Sequence, residues 1–170
     1  EIVPILSITK SSQAKNITDC SQLHVTYVRK KKKLAHEMRL AKAFAKAAGV
    51  YGAESYIQGF SGYVLEILTI TAGSFLNLLK AAAKWKSHTI LGDKKKVAQL
   101  NYAKKQSPLI LIDPVQPDRN AAAALGEEKY YDFILTARAF LKYPSSSFFR
   151  KKSPNILHLE HHGTLIMLAV

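Results

Sequence analysis

Leu34-Ala-His-Glu-Met-Arg-Leu-Ala-Lys-Ala-Phe-Ala-Lys-Ala-Ala48 runs without a proline and stops at Gly49. Alanine and straight-chain residues lose little freedom in a helix, and glycine accepts the backbone that ends one, so the stretch reads as a helix. Arg39, Lys42 and Lys46 fall on it at i, i+3 and i+7, which stacks three cations along one face. A helix with one basic stripe suits an anionic ligand. An ordinary solvent-facing side has the same spacing, and the pattern alone leaves both readings open.

Outward from this helix the chain alternates apolar runs with turn signals. Gly52, Gly59 and Gly62 surround Tyr51, Tyr56, Phe60 and Tyr63, a segment where backbone must bend or approach something closely. Ser61 is placed to cap a second helix running to about Thr71. Ser74 is placed to cap a third, on which Phe75, Leu78, Leu79, Ala82 and Trp85 have the spacing of a buried face. A polar connection carrying Lys94, Lys95, Lys96, Lys104 and Lys105 leads to Leu109–Ile112, which reads as a short buried strand. Asp113, Pro114, Pro117 and Asp118 force a turn, and Asn120 is placed to cap the helix expected next, which Gly126 interrupts. Glu127–Tyr143 resumes as a helix with Tyr130, Phe133, Ile134, Ala137, Phe140 and Leu141 inward. Toward the N-terminus, Glu1–Thr9 reads as an edge strand because of Pro4, and Lys10–Gln22 as a loop. Leu23–Val28 is a short run ahead of the basic block Arg29–Lys33, whose ordinary reading is a solvated loop and whose other reading is phosphate contact. The expected class is mainly α, α+β overall, with short flanking strands.

Charge narrows the partners. The 170 residues hold 25 Lys and Arg against 12 Asp and Glu, a formal net charge of +13, so a polyanion is the expected partner. Cys20 is the only cysteine, which excludes a disulfide within the chain and a thiolate metal cage, and fits a reducing, cytoplasmic setting. No apolar run reaches the roughly 18 to 20 residues of a membrane helix, so no membrane partner is expected. Both ends read as cut from something larger. His158, His161 and His162 lie around Glu160, but their apolar neighbours favour strand and turn over a metal site. There is no phosphate loop, dinucleotide fingerprint or serine elbow, and the acidic residues are few and scattered. An enzyme built on this chain would therefore lack half of its catalytic parts.

Three stretches taken together point to a family: Arg39 through Glu54, Gly59-Phe-Ser-Gly-Tyr63 with Glu66, and Asp113-Pro-Val-Gln-Pro-Asp-Arg119-Asn120-Ala-Ala. In this order and at these intervals the chain resembles the archaeal, class I CCA-adding enzymes, the tRNA nucleotidyltransferases that build the 3′ CCA end. Gly73-Ser-Phe75, Trp85, Pro144-Ser with Phe148-Phe149, and His162-Gly-Thr164 add to the likeness. The resemblance implies a helical central domain, akin to that of poly(A) polymerases, over residues 23–153. Residues 1–22 would be the end of a catalytic head and 154–170 the start of a tRNA-binding domain. It implies that Lys42 faces triphosphate oxygens, that His24 and Tyr51 shape the nucleotide pocket, and that Arg119 lines the cleft where C and then A are selected. Arg39, Lys46 and Arg119 become RNA-binding candidates, and Glu1 a metal ligand in a longer chain. The alternative for Arg119 is simple pairing with Asp113 or Asp118.

The same resemblance implies Mg2+ in the complete enzyme, ATP and CTP as substrates, and the tRNA acceptor end as partner, with a homodimer left open. The head carboxylates are absent from the 170 residues, so the isolated chain is expected to be inactive without a head from the same gene or a separate chain. Cys20, Ser21 and Gln22 replace the family's usual Arg-Thr-Pro, and Gln58 stands where a basic residue is common. These departures keep a second reading in view, a non-catalytic basic RNA-binding module left from a split or decayed enzyme.

Overall fold

A computed structural model describes residues 4–150. Its helices are α1 (Ser21–Arg29), α2 (Ala35–Ala47), α3 (Gly62–Ala72), α4 (Phe75–Ala82), α5 (Lys94–Gln99) and α6 (Glu127–Lys142), and its strands are β1 (Thr89–Leu91) and β2 (Leu109–Leu111). The expected mainly helical class is observed. α3 buries Val64, Leu65, Ile67 and Leu68, and a helix apolar on most sides belongs in the middle, where α1, α2 and α4 pack against it. Ser61 accepts the Val64 N–H at 3.1 Å to start α3, and Gly73 ends it in the left-handed region at φ 79°. Ser74 then caps α4, which leaves α3 at 95°. Ser61→Ala is expected to cost about 1 kcal/mol, read as a lower urea midpoint at unchanged slope.

α6 closes the core against α4 through Tyr130, Phe133, Ile134 and Ala137, as its spacing predicts. Phe44 of α2 sits at the centre, with the rings of Phe75, Phe133, Phe140, Phe148 and Phe149 around it at centroid distances of 5.5 to 6.3 Å. Trp85 stacks on Tyr130 at 5.8 Å, and the Tyr130 hydroxyl donates to the Lys86 carbonyl at 2.7 Å, so the buried phenol is satisfied. Among the described residues no single helix is long and apolar enough to cross a membrane.

Three expectations are corrected. Residues 4–9 form no strand, and Lys10–Gln22 is not a plain loop: it holds 3-10 turns at Ser11–Gln13 and Ile17–Cys20 and the start of α1. The reason is Asp19, 1% exposed, whose carboxylate takes the N–H groups of Leu6, Lys15 and Asn16 at 2.9, 3.0 and 3.1 Å. Those amides are spent on a side chain, which leaves no ladder for a strand to join. Asn120 caps no helix. Its buried amide accepts from Leu111 N–H and Ala122 N–H and donates to the Lys104 and Leu109 carbonyls, which holds 121–124 as turns. α6 begins only at Glu127, with Gly126 as its N-cap, fixed by an N–H donated to the Gln58 carbonyl at 2.8 Å.

The lysine-rich connection is also more than a connection. Asp93 accepts the Lys95 N–H at 2.9 Å to open α5, and a 3-10 turn follows at Ala103–Lys105. Val97 and Leu100 bury against Ile110 and Ile112 as a second, small core. β1, which the sequence did not signal, pairs in parallel with β2, Ile90 opposite Ile110. Glu1, the boundary near 153 and residues 154–170 with their histidines lie outside the described residues.

Candidate functional site

The first turns of α3 gather side chains from distant segments. Gly62 has no side chain, and a Cβ placed there would lie 2.9 Å from the Tyr51 hydroxyl and 3.6 Å from Lys42 Cε, so both groups lean over this glycine. One turn on, Glu66 Oε1 accepts from Lys42 Nζ at 2.6 Å, across 24 residues of chain. The Lys46 ammonium stands 4.8 Å from the centre of the Tyr51 ring. Two of the three cations on the stripe of α2 are thus drawn to one end of α3. Arg39, exposed, makes no ion pair among the described residues.

The other side of the site is organised by Asp113. β2 ends at Leu111, Ile112 bridges to Asn120, and the Asp113 N–H donates to the Arg119 carbonyl at 3.1 Å, which closes the proline-rich turn. The Asp113 carboxylate is fully buried. Its Oδ1 accepts from the Tyr63 hydroxyl at 3.0 Å and from the N–H groups of Val115 and Gln116 at 2.8 and 3.3 Å. Its Oδ2 accepts from Arg119 Nη1 at 3.0 Å. His24 Nε2 comes to 3.4 Å of the same oxygen without the alignment of a hydrogen bond, and the imidazole stacks on Tyr63 at 4.2 Å.

Electrostatics follow this arrangement. Burial pushes the Asp113 carboxyl up, but the neighbouring His24 imidazole and the two N–H donors outweigh it, so it sits below the usual carboxylate range. Burial, reinforced by the Asp113 charge, drives the Tyr63 phenol far above its ordinary value and keeps it a hydrogen-bond donor. Burial likewise raises the Cys20 thiol, with Asp113 and Asp19 adding to it, so the lone cysteine is a core residue rather than a nucleophile. Arg119 pairs with Asp113, the alternative raised for it from the sequence. Its side chain keeps 29% exposure, so the carboxylate orients a guanidinium that still has open surface.

A cavity of about 360 Å³ opens beside this cluster, between α1 and α3, lined by Ser21, His24, Val25, Val28, Arg29, Tyr63 and Glu66. A larger groove of about 620 Å³ lies between α2, α6 and the 3-10 turn at Ser146–Phe149, and none of the candidate residues faces it. Among the described residues no three His, Cys, Asp or Glu side chains come together as a metal site. Glu66 is committed to Lys42 and Asp113 to Arg119, so the described residues do not fit a Mg2+ cage.

Sequence reasoning named His24, Lys42, Tyr51 and Arg119, but missed most of the groups that hold them. Tyr63 and Glu66 were part of the quoted motifs without a role, and Asp113 was read as a turn former and a possible partner of Arg119, not as the centre of the cluster. The spacing of Gly62, Tyr63 and Glu66 at i, i+1 and i+4 was the available signal, since one helical end presents all three.

The family model described as tRNA nucleotidyltransferase, second domain, matches residues 36–150. The chain is similar to the CCA-adding enzyme of Methanosarcina barkeri, 41% identical over 88% of this chain and 32% of that protein. Similarity to the CCA-adding enzyme of Methanocaldococcus jannaschii is 37%, over 100% of this chain and 40% of the relative. For that of Pyrobaculum aerophilum it is 41%, over 88% and 35%. The chain thus spans between about a third and two fifths of the length of these curated relatives. The resemblance read from the three motifs is borne out, and the chain belongs to the tRNA nucleotidyltransferase family, whose second domain it carries.

Proposed function

We propose that this chain supplies the nucleotide-pocket wall and part of the tRNA-binding surface of a cytoplasmic CCA tRNA nucleotidyltransferase, which adds C, C and A to the tRNA 3′ end from CTP and ATP. Residues 1–22 belong to the end of its head, 23–153 to the central domain and 154–170 to the start of the next. The observation that carries the reading is the convergence of His24, Lys42, Tyr51 and Arg119 on the Gly62–Glu66 end of α3 and on Asp113. Scattered surface residues have no physical reason to meet.

Each group has a role its surroundings support. Lys42, aimed by Glu66, screens triphosphate charge, while Tyr51 offers a ring face and a hydroxyl. Arg119, oriented by Asp113, presents a rigid fork of donors to a base edge or phosphate. On this reading the bond-making step and its Mg2+ belong to the head, which brings the carboxylates that hold the metal. The isolated chain is then inactive until a head is supplied. Lys42→Gln is expected to weaken CTP and ATP binding about tenfold with little change in stability, measured by equilibrium dialysis beside a thermal melt.

The test is to mix this chain with a separately expressed catalytic head, CTP, ATP, Mg2+ and tRNA lacking its CCA end. Ordered addition of C, C and A supports the proposal. RNA binding that no head makes catalytic supports the second reading, a basic RNA-binding module without chemistry of its own. Equal affinity for the tRNA and for a DNA duplex of the same length, falling steeply with salt, sinks both.

A further inference from the structure

Residues 86–106 hold six lysines, Lys86, Lys94, Lys95, Lys96, Lys104 and Lys105, and a single acid, Asp93, already used as the cap of α5. Such a stretch would read as a solvated linker if it hung free. It does not: Val97 and Leu100 anchor it on Ile110 and Ile112, so the lysines ride on a folded platform. Lys95 and Lys96 are exposed, and neither they nor Lys105 have a carboxylate within ion-pair distance among the described residues.

In chain order Tyr102, 81% exposed, falls between the two lysine groups of this platform. A large aromatic ring left in water gives up burial that this small core could have used. An exposed ring on a lysine-rich platform is a combination that single-stranded nucleic acids recognise, the bases stacking while the ammoniums follow the phosphates. The platform also adjoins the site already described. Lys104 Nζ donates to the Asp118 carbonyl at 2.6 Å, and the Asn120 amide donates to the Lys104 carbonyl at 3.0 Å, so the platform and the turn carrying Arg119 are bonded together.

We infer that the α5 platform is an RNA-contact surface of its own, taking a single-stranded stretch of RNA with one base stacked on Tyr102 and phosphates on Lys95, Lys96 and Lys105. The inference rests on the reading of this chain as one that handles RNA. It adds to that reading a second contact, joined to the Arg119 turn through Asp118 and Asn120.

The experiment is fluorescence anisotropy with the full 170-residue chain and two labelled probes, a single-stranded oligoribonucleotide of about 12 nucleotides and an RNA hairpin duplex without an overhang. Tyr102→Ala is expected to weaken the single-strand probe at least about fivefold, with Tyr102→Trp restoring it and the hairpin little changed. Lys95, Lys96 and Lys105 changed together to Gln should flatten the salt dependence of single-strand binding by about 2 in slope. Tyr102 is exposed, so the thermal midpoint of Tyr102→Ala should match that of the unaltered chain. If the unaltered chain binds single-stranded RNA and Tyr102→Ala binds it equally well, the platform is not the contact and this inference alone falls. Equal loss on both probes would assign the surface to duplex backbone and overturn the single-strand assignment. Failure of the unaltered chain to bind either probe would bring down the RNA-handling reading itself.

Discussion

Asp113→Ala is expected to destabilise the chain by about 3–5 kcal/mol and to abolish discrimination between CTP and ATP in a reconstituted enzyme. The carboxylate is fully buried and answers Arg119, the Tyr63 hydroxyl and two backbone N–H groups, while lying 3.4 Å from His24. Deleting it leaves the Arg119 side chain, 29% exposed, without its charge partner and the half-buried Tyr63 phenol without an acceptor. Each of those desolvated groups then carries its own penalty. Asp113→Asn separates charge from shape, since an amide oxygen can still accept from Tyr63. It should cost less, and it carries a pH signature. Because the Asp113 carboxyl is held below the usual carboxylate range, its ionised form stabilises the folded chain fully above the unfolded value near 4, and that contribution is lost as pH falls through the lower folded value. Urea midpoints of the two chains should therefore differ most well above pH 4 and draw together as the pH falls below it. A constant gap down to pH 2 would mean that the charge of Asp113 contributes nothing.

The reach of the sequence can be judged element by element. α4 and α6 were legible from the period of their buried faces and α2 from helix-forming residues that stop at Gly49, while Ser61 and Ser74, with their hydroxyls on the first turn, marked the starts of α3 and α4. What escaped was structure made by side chains that capture backbone groups. Asp19 replaces a strand ladder by three bonds to amides, and Asn120 binds four backbone groups around one turn, so neither leaves a period to read. α5 escaped because three consecutive lysines mask the two apolar residues, Val97 and Leu100, that fix it.

The site divides the same way. His24, Lys42, Tyr51 and Arg119 were named through the family resemblance, but the partners of Lys42 and His24 lie 24 and 89 positions away in the chain and belong to the tertiary fold. Lys42 meeting Glu66, and Tyr63 meeting Asp113, are consequences of how α2, α3 and the turn after β2 pack. A spacing rule within one element cannot supply them.

Two glycines three residues apart offer the sharpest separation of fold from site. Gly59→Ala is expected to cost about 3 kcal/mol or more, because a Cβ there would collide with the carbonyl oxygens of Val50 and Gly52. Those oxygens cannot retreat: Val50 O holds the Phe60 N–H at 2.7 Å and Gly52 O holds the Gly59 N–H at 2.6 Å, pinning the loop between two core residues, Val50 and Phe60. Gly62→Ala meets only the far end of Tyr51, a side chain that can swing aside, and alanine suits the first turn of α3 better than glycine does. Stability should hold or rise slightly, while displacement of the Tyr51 hydroxyl lowers nucleotide binding about tenfold. Urea midpoints and CTP binding measured on both variants decide the matter. A stable Gly59→Ala chain would mean that the path from Val50 to Phe60 is not the one described. A Gly62→Ala chain that binds CTP as well as the unaltered one would remove Tyr51 from the pocket, and with it the proposed role of this hydroxyl at the α3 end.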